Sequence, residues 1–145
     1  MTRALLDARV LIALFDLAHV HHEVAHDWFA DNRGRGWATS PLTENALLRI
    51  VSNPKYGSNW ERAPILATRL RAFCATADHH FWPDTLSLGD STVFDLSVAA
   101  HQHLTDVYLL GLAKANGGVL ATFDRTIPLK AVVGASPDLL EVIGS

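Results

Sequence analysis

Short apolar segments alternate along the chain with longer segments of helical character, and this alternation is the feature that most restricts the fold. The apolar segments lie at residues 4–6, 37–39, 79–82, 119–123 and 139–143. Apolar runs of this length suit the strands of a buried parallel sheet. Strands that alternate with helices are typical of an α/β domain. The sequence therefore predicts a three-layer α/β fold with a mostly parallel central sheet flanked by helices.

The segments between the predicted strands carry the signals of helices. Helices are predicted at residues 10–15, 21–32, 41–52, 61–77, 92–101 and 106–115, although periodicity alone also allows a strand at 10–15. Ser40 is predicted to cap the third helix, and Thr105 is predicted to cap the last one. Neither a repeat nor a linker interrupts this series. The chain of 145 residues is therefore predicted to form one domain, residues 1–145.

The composition excludes several classes of protein. Apolar residues make up 49% of the chain, which is typical of a globular protein rather than a disordered one. The formal net charge of −3 gives no basic excess, so binding of nucleic acid would need local cationic groups and a metal. Cys74, the only cysteine, excludes an internal disulfide and is expected to be a buried structural thiol. No leader or membrane-length apolar run is recognised, which predicts a cytoplasmic protein.

Four acidic residues stand at the ends of predicted strands or the starts of predicted helices. They are Asp7, Glu44, Asp106 and Asp124. In an open α/β sheet, functional groups gather at the carboxyl ends of the strands. Carboxylates that meet there repel one another unless a cation joins them, and hard oxygen ligands favour Mg²⁺ or Mn²⁺. The pattern predicts metal-assisted phosphodiester chemistry.

Each of these acids also has a purely structural interpretation. Asp7 could be a turn residue, Glu44 could complement a helix dipole, Asp106 could belong to a helix cap and Asp124 could begin a loop. Their shared placement along one predicted edge favours a common site over four separate structural roles.

Four motifs around these acids resemble those of a known family. The motifs are Leu5-Leu6-Asp7 followed by Val10-Leu11-Ile12, Pro41-Leu42-Thr43-Glu44-Asn45 with Arg49, Leu104-Thr105-Asp106-Val107-Tyr108-Leu109, and Leu120-Ala121-Thr122-Phe123-Asp124-Arg125. In this order and spacing they resemble the PIN-domain ribonucleases, specifically the VapC toxins of bacterial toxin–antitoxin pairs. The resemblance covers nearly the whole chain.

The resemblance implies a Mg²⁺- or Mn²⁺-dependent endoribonuclease that cleaves RNA. It implies that Asp7 and Asp106 touch metal most directly, while Glu44 and Asp124 act through bound water or complete a second metal site. Two ions roughly 4 Å apart can hold both the attacking and the leaving oxygen of a phosphodiester. The resemblance further implies a homodimer and a small cognate antitoxin that blocks the active site.

The first motif departs from the family pattern. The family usually follows its first Asp with Ser, Thr or Asn, whereas Asp7 is followed here by Ala8 and Arg9. Ala8 has no hydroxyl with which to support the metal ligands. Arg9 is expected to contact a substrate phosphate or to neutralise the carboxylates.

Several other residues are candidates for supporting roles. The hydroxyl of Thr122 could hold a carboxylate or a water, or Thr122 could be an ordinary β-branched strand residue. Arg49 could face an acid, the substrate or only solvent, and Arg125 is equally ambiguous. Trp60, in a predicted loop, is the tryptophan best placed to stack on an RNA base.

Two alternatives from other functional classes remain open. The segment His22-Glu23-Val24-Ala25-His26 matches the H-E-x-x-H signature of zinc metallopeptidases, in which two histidines one helical turn apart bind zinc. No further motif presents a third zinc ligand, and the favoured interpretation is a helix start whose histidines lie at the surface or pack on Trp28. The other alternative is a non-catalytic module that binds RNA or protein on the same fold.

Overall fold

A parallel five-stranded sheet forms the centre of the computed structural model, which describes residues 2–144. The strands are β1 (Ala4–Leu6), β2 (Trp37–Thr39), β3 (His79–Phe81), β4 (Val119–Thr122) and β5 (Leu140–Val142). Their order across the sheet is β3-β2-β1-β4-β5, and every neighbouring pair is parallel. In the central strand, Leu5 pairs with Ala38 on one side and with Leu120 on the other. The predicted α/β fold is confirmed.

Five α-helices connect or follow the strands. They are α1 (Ala8–Phe15), α2 (His22–Asn32), α3 (Pro41–Val51), α4 (Ala63–Cys74) and α5 (Leu104–Ala115). At the start of α3, the Ser40 side chain accepts from the backbone of Thr43, the Thr43 side chain bonds the backbone of Ser40, and Pro41 takes the first position. After α5, Gly117 has a φ of 68°, which glycine adopts without strain. Capping residues thus set the ends of these helices.

The sheet separates two apolar cores. Ala4 and Leu6 of β1 contact a core formed with α1, α2, α3 and α4, whereas Leu5 contacts a second core formed mainly with α5. This division follows from the alternation of side chains along a strand. None of the three side chains is more than 1% exposed. Because helices cover both faces, β1 is apolar throughout, as a strand in the middle of such a sheet must be.

The predicted helix at residues 92–101 is wrong. The side chains of Asp90 and Asp95 each accept a hydrogen bond from the backbone N–H two residues further on. Such bonds form turns that compete with helical hydrogen bonding. The segment instead contains turns and a short 3-10 helix, Leu96–Val98.

Two further helix boundaries differ from the predictions. The helix predicted at 61–77 is shorter at both ends, and Pro64 lies in its first turn, where proline is tolerated. The periodicity of this segment predicts Ile65 on the inner face of the helix, but it is 45% exposed. The last helix begins at Leu104, so Thr105 lies inside its first turn and is not the cap. Within residues 2–144, no helix is both long and apolar enough to cross a membrane.

Gly118 lies where the return from α5 to β4 passes close to Arg3, the residue before β1. A Cβ here would lie 2.5 Å from the backbone oxygen of Arg3 and 2.7 Å from the ring of Trp82. We expect Gly118→Ala to lower the free energy of unfolding by about 1–3 kcal/mol, because the backbone oxygen cannot move aside freely. Gly34→Ala is the control, since its added Cβ meets nothing within 4 Å. Urea denaturation measures both variants, and equal midpoints would contradict the close approach.

Candidate metal centre

Asp7 lies at the junction of β1 and α1 and is the most deeply buried of the predicted acids. Its side chain is the cap of α1 and accepts from the backbone N–H of Arg9 at 3.4 Å. Its second oxygen accepts from the hydroxyl of Thr122 at 2.7 Å. Only 4% of the residue is exposed, and this burial raises the pKa of the Asp7 carboxyl above its usual value. The carboxylate is therefore held in one position and poorly solvated.

Thr122 connects Asp7 to Asp124. The Thr122 hydroxyl donates to Asp7 and accepts from the backbone N–H of Asp124 at 3.1 Å. The Asp124 carboxylate in turn accepts from the backbone and the hydroxyl of Thr126, at 2.8 and 2.6 Å. These hydrogen bonds, first of all that from the Thr126 hydroxyl, hold the pKa of Asp124 below its usual value. Asp124 is thus stabilised in its ionised form beside the buried Asp7.

Asp106 faces the other two aspartates from the first turn of α5. Burial first, and then the negative charges of Asp7 and Asp124, raise the pKa of Asp106 to about 7. Arg9 acts in the opposite direction on all three carboxyls, because its positive charge lowers the pKa of each. The structure therefore brings Asp7, Asp106 and Asp124 within electrostatic reach of one another, with Arg9 as a cationic neighbour.

Glu44 lies at the same edge of the sheet but has a different set of partners. One of its oxygens accepts from the hydroxyl of Thr39, the last residue of β2, at 2.6 Å. Its other polar neighbours are Cys74 and His79, whose ligating atoms lie with its carboxylate oxygen within 4.8 Å of one another. The charges that raise the pKa of Asp106 come from Asp7 and Asp124, and not from Glu44.

The remaining candidate residues differ in how they are placed. Arg9 and Arg49 are both exposed, and neither forms an ion pair within the described chain. Of these two arginines, only Arg9 lowers the pKa values of the three aspartates. Cys74, expected to be a buried thiol, is half-buried at the end of α4. Trp60 is 41% exposed, whereas Trp37 is buried.

The three aspartates offer the oxygen donors that a hard divalent cation prefers, although within residues 2–144 their carboxylate oxygens do not all lie within 4.8 Å of one another. Two of the three carboxyls have pKa values raised by burial, so their ionised forms lack the positive charge that would stabilise them. Arg9 is exposed and supplies only part of that charge. Carboxylates of this kind are the usual ligands of Mg²⁺ and Mn²⁺.

The rival zinc motif does not assemble a metal site. His22 and His26 lie on α2 with ring centroids 6.0 Å apart. His22 uses Nδ1 to donate to the carbonyl of Ala13 at 2.6 Å. Across residues 2–144, no third His, Cys, Asp or Glu lies in ligating geometry with this pair. The metallopeptidase alternative is therefore not favoured.

The pKa of Asp106 is raised and that of Asp124 is lowered. Replacing each aspartate with neutral asparagine is therefore predicted to change the free energy of unfolding in opposite directions. A raised pKa means that the folded state disfavours the ionised carboxyl, so stability declines as pH rises from the usual value of the group to about 7. In metal-free buffer at pH 8, we expect Asp106→Asn to raise the free energy of unfolding by about 1–2 kcal/mol, a range that allows for partial solvation. Asp124→Asn, which removes a hydrogen-bonded carboxylate, is expected to lower it by about 0.5–1 kcal/mol.

Urea denaturation with EDTA present, repeated from pH 4 to pH 8, measures both effects. The gain from Asp106→Asn is expected to shrink as the pH falls and to be small near pH 4, close to the usual pKa of 3.8, where the unfolded state also loses much of its charge. If the gain in unfolding free energy caused by Asp106→Asn did not depend on pH, the raised pKa of Asp106 would be contradicted.

Comparison with known proteins places this chain in a family. The PIN domain model matches residues 4–133. Ribonuclease VapC44 of Mycobacterium tuberculosis is 42% identical over 142 residues, which cover 97% of this chain and 99% of that protein. Ribonuclease VapC39 of the same organism is 40% identical over 141 residues, with the same coverage of 97% and 99%.

A solved crystal structure has a fold similar to that of this chain. The crystal structure of VapC20 of Mycobacterium tuberculosis, described as a sarcin-ricin loop cleaving toxin, superposes with a TM-score of 0.61 at 14% identity and covers 92% of this chain and 99% of its own. At that identity the likeness concerns the fold alone. The family match and the two relatives together show that this chain belongs to the PIN-domain family, among the proteins named VapC.

Proposed function

We propose that this chain is a Mg²⁺- or Mn²⁺-dependent endoribonuclease and the toxin of a VapBC-type toxin–antitoxin pair. The observation that supports it most is the meeting of Asp7, Asp106 and Asp124 at the carboxyl edge of the sheet, with the pKa of Asp106 raised to about 7. The names of the relatives, which are ribonucleases, support the same reaction class. The proposal includes a small cognate antitoxin, a homodimer and a cytoplasmic location.

Three aspartates would hold the metal in this proposal. Asp7 is the most rigid ligand, because the hydroxyl of Thr122 and the backbone of Arg9 fix both of its oxygens. Asp106 supplies a second carboxyl whose ionised form would gain from a nearby cation, because burial and its neighbours raise its pKa to about 7. A divalent ion bound there lowers the pKa of a coordinated water and neutralises charge on the phosphate.

The other candidates have roles outside the three aspartates. Glu44 would complete the acidic set as the fourth carboxylate, from its place one strand along the same edge. Arg9 is exposed beside the aspartates, where its guanidinium would contact a phosphate of the substrate. Arg49 and the exposed ring of Trp60 are candidates for RNA contacts further from the reacting bond.

Cleavage of RNA by the purified protein tests the proposed function. With total RNA as substrate, we expect cleavage in Mn²⁺ or Mg²⁺, loss of cleavage in EDTA, and defined ends when the products are mapped. Asp7→Asn and Asp106→Asn are each expected to lower the rate at least 100-fold, because each removes a charged ligand. Asp31→Asn, which changes an exposed acid on α2, is the matched control.

Two outcomes would contradict the proposal. Metal-independent cleavage would remove the role of the aspartates, and binding of RNA without any cleavage would favour the non-catalytic module.

Arg9 offers a separate test of how the site handles phosphate charge. Arg9→Ala keeps the backbone N–H that bonds Asp7 but removes the guanidinium. We expect cleavage to fall about 10-fold, mainly through a higher KM, while Mn²⁺ binding is retained. Arg71→Ala, which changes an exposed arginine on α4, is the matched control. Steady-state kinetics on a short RNA would contradict the role of Arg9 if Arg9→Ala and Arg71→Ala behaved alike.

A further inference from the structure

Glu44, Cys74 and His79 form a compact group of metal-ligating side chains outside the three aspartates. Glu44 lies in the first turn of α3, Cys74 is the last residue of α4, and His79 is the first residue of β3. One ligating atom from each lies within 4.8 Å of the others. Neither Cys74 nor His79 has a part in the proposed nuclease reaction. We call these three residues the mixed-ligand cluster.

We propose that the mixed-ligand cluster is a second cation site, selective for Zn²⁺, and that occupation of this site withdraws Glu44 from the nuclease centre. The first half stands on the geometry of the cluster. The second half rests on the proposed function, because it concerns the role of Glu44 in RNA cleavage.

The donor set distinguishes the cluster from the aspartate site. Cys74 provides sulfur, His79 provides an imidazole nitrogen and Glu44 provides a carboxylate oxygen. Zn²⁺ accepts all three types of donor, whereas Mg²⁺ and Mn²⁺ prefer oxygen alone. Three protein ligands leave one position of a tetrahedral site for water, as in zinc sites that remain open. The two sites would therefore select different ions from one mixture.

Thr39 holds the cluster together in the metal-free protein. Its hydroxyl donates to Glu44 at 2.6 Å, lies 2.8 Å from Nε2 of His79 and is a neighbour of the Cys74 side chain. Thr39 itself is fully buried at 0% exposure and is fixed by pairing of β2 with β3. The donor atoms are thus drawn to one point by the fold, which reduces the entropy lost when an ion binds.

The Glu44 carboxylate is the one group of the cluster that carries a negative charge. A hydroxyl has one proton, and Thr39 gives it to Glu44, so Nε2 of His79 carries the proton of its 2.8 Å contact with the Thr39 oxygen. Metal binding through Nε2 would therefore need that ring proton to move to Nδ1. The Glu44 carboxylate is partly buried and has no cationic partner among the ion pairs of the described chain. A divalent cation would supply the missing positive charge.

The protonation states are compatible with zinc binding. Burial, and then the charge of His80, hold the pKa of His79 below its usual value, so its ring is in the neutral form that binds metal. Burial, and then the charge of Glu44, raise the pKa of Cys74 to about 11, so the free protein carries the thiol. On binding, the S–H bond breaks, the proton leaves to solvent and the thiolate bonds the metal.

Shared use of Glu44 would couple the two sites. A carboxylate oxygen that coordinates Zn²⁺ beside Cys74 and His79 is not free to complete the acidic set around Asp7. Zinc would then inhibit cleavage without occupying the position of Mg²⁺ or Mn²⁺. Inhibition of this kind should depend on Cys74, which lies outside the nuclease centre.

Titration of the full-length protein with Co²⁺, a spectroscopic substitute for Zn²⁺, tests the site directly. Because Cys74 is the only cysteine, a near-ultraviolet thiolate-to-cobalt charge-transfer band can only report Cys74. We expect the band in the wild-type protein, its loss in Cys74→Ser, and binding at least 10-fold weaker in His79→Gln. His80→Gln is the matched control, since neighbouring strand residues point to opposite faces.

Two results of the titration would overturn the zinc site. One is cobalt binding by the wild-type protein without a thiolate band, which would place the ion elsewhere. The other is equal affinity in His79→Gln and His80→Gln, which would remove the imidazole from the ligand set. Both readouts are independent of nuclease activity.

A cleavage assay tests the coupling. In Mn²⁺, added Zn²⁺ is expected to inhibit the wild-type protein at least 10-fold relative to its own zinc-free rate, and to inhibit Cys74→Ser much less relative to the rate of that variant. Equal inhibition of both would overturn the withdrawal of Glu44. If the wild-type protein cleaves no RNA in Mn²⁺ alone, the proposed function fails, while the cobalt titration still decides the zinc site.

Discussion

The hydrogen bond between Thr122 and Asp7 is the contact on which the rest of the site depends. It joins the ends of the two central strands, β1 and β4, through side chains that are almost completely buried. The same hydroxyl accepts from the backbone of Asp124, so one group positions two acids. Asp7 also caps α1, which links the carboxylate to the helix that follows it. A shift of β4 relative to β1 would therefore change the site and the start of α1 together.

β2, the strand on the other side of β1, also ends at a buried threonine that donates to a carboxylate. β2 finishes at Thr39 and β4 finishes at Thr122, and both threonines are 0% exposed. Each gives its hydroxyl proton to a carboxylate, Thr39 to Glu44 and Thr122 to Asp7. The carboxyl edge of the sheet thus presents two threonine–carboxylate pairs on either side of its central strand. The Thr122–Asp7 pair lies near two further aspartates, whose oxygens suit a hard cation. The Thr39–Glu44 pair lies beside the thiol of Cys74 and the imidazole of His79.

Sequence reasoning predicted the parts of this structure that follow from periodicity and from strand ends. The strand β1 could be predicted because a short continuous apolar run is typical of a buried parallel strand. The start of α3 could be predicted because Ser followed by Pro is typical of a helix N-terminus. The helix at residues 92–101 could not, because aspartate side chains formed local turns that an apolar count does not register. Cys74 was expected to be a buried structural thiol inside a helix, and its place beside Glu44 depends on the end of α4 at Cys74, whereas the sequence pattern predicted that the helix continues to Ala77.

The arrangement of the acids shows why a list of carboxylates underdetermines a metal centre. All four lie near one edge, yet only three act on one another through their charges, and the fourth is drawn to Thr39 by a hydrogen bond of 2.6 Å. The bond uses one oxygen of Glu44, so the other oxygen stays able to coordinate a cation, just as the bond from Thr122 leaves Asp7 able to do so. Thr39 therefore acts by fixing the position of Glu44. That position, one strand away from Asp7 and beside Cys74 and His79, decides whether the edge of this sheet acts as one metal site with four acids or as two sites that share one.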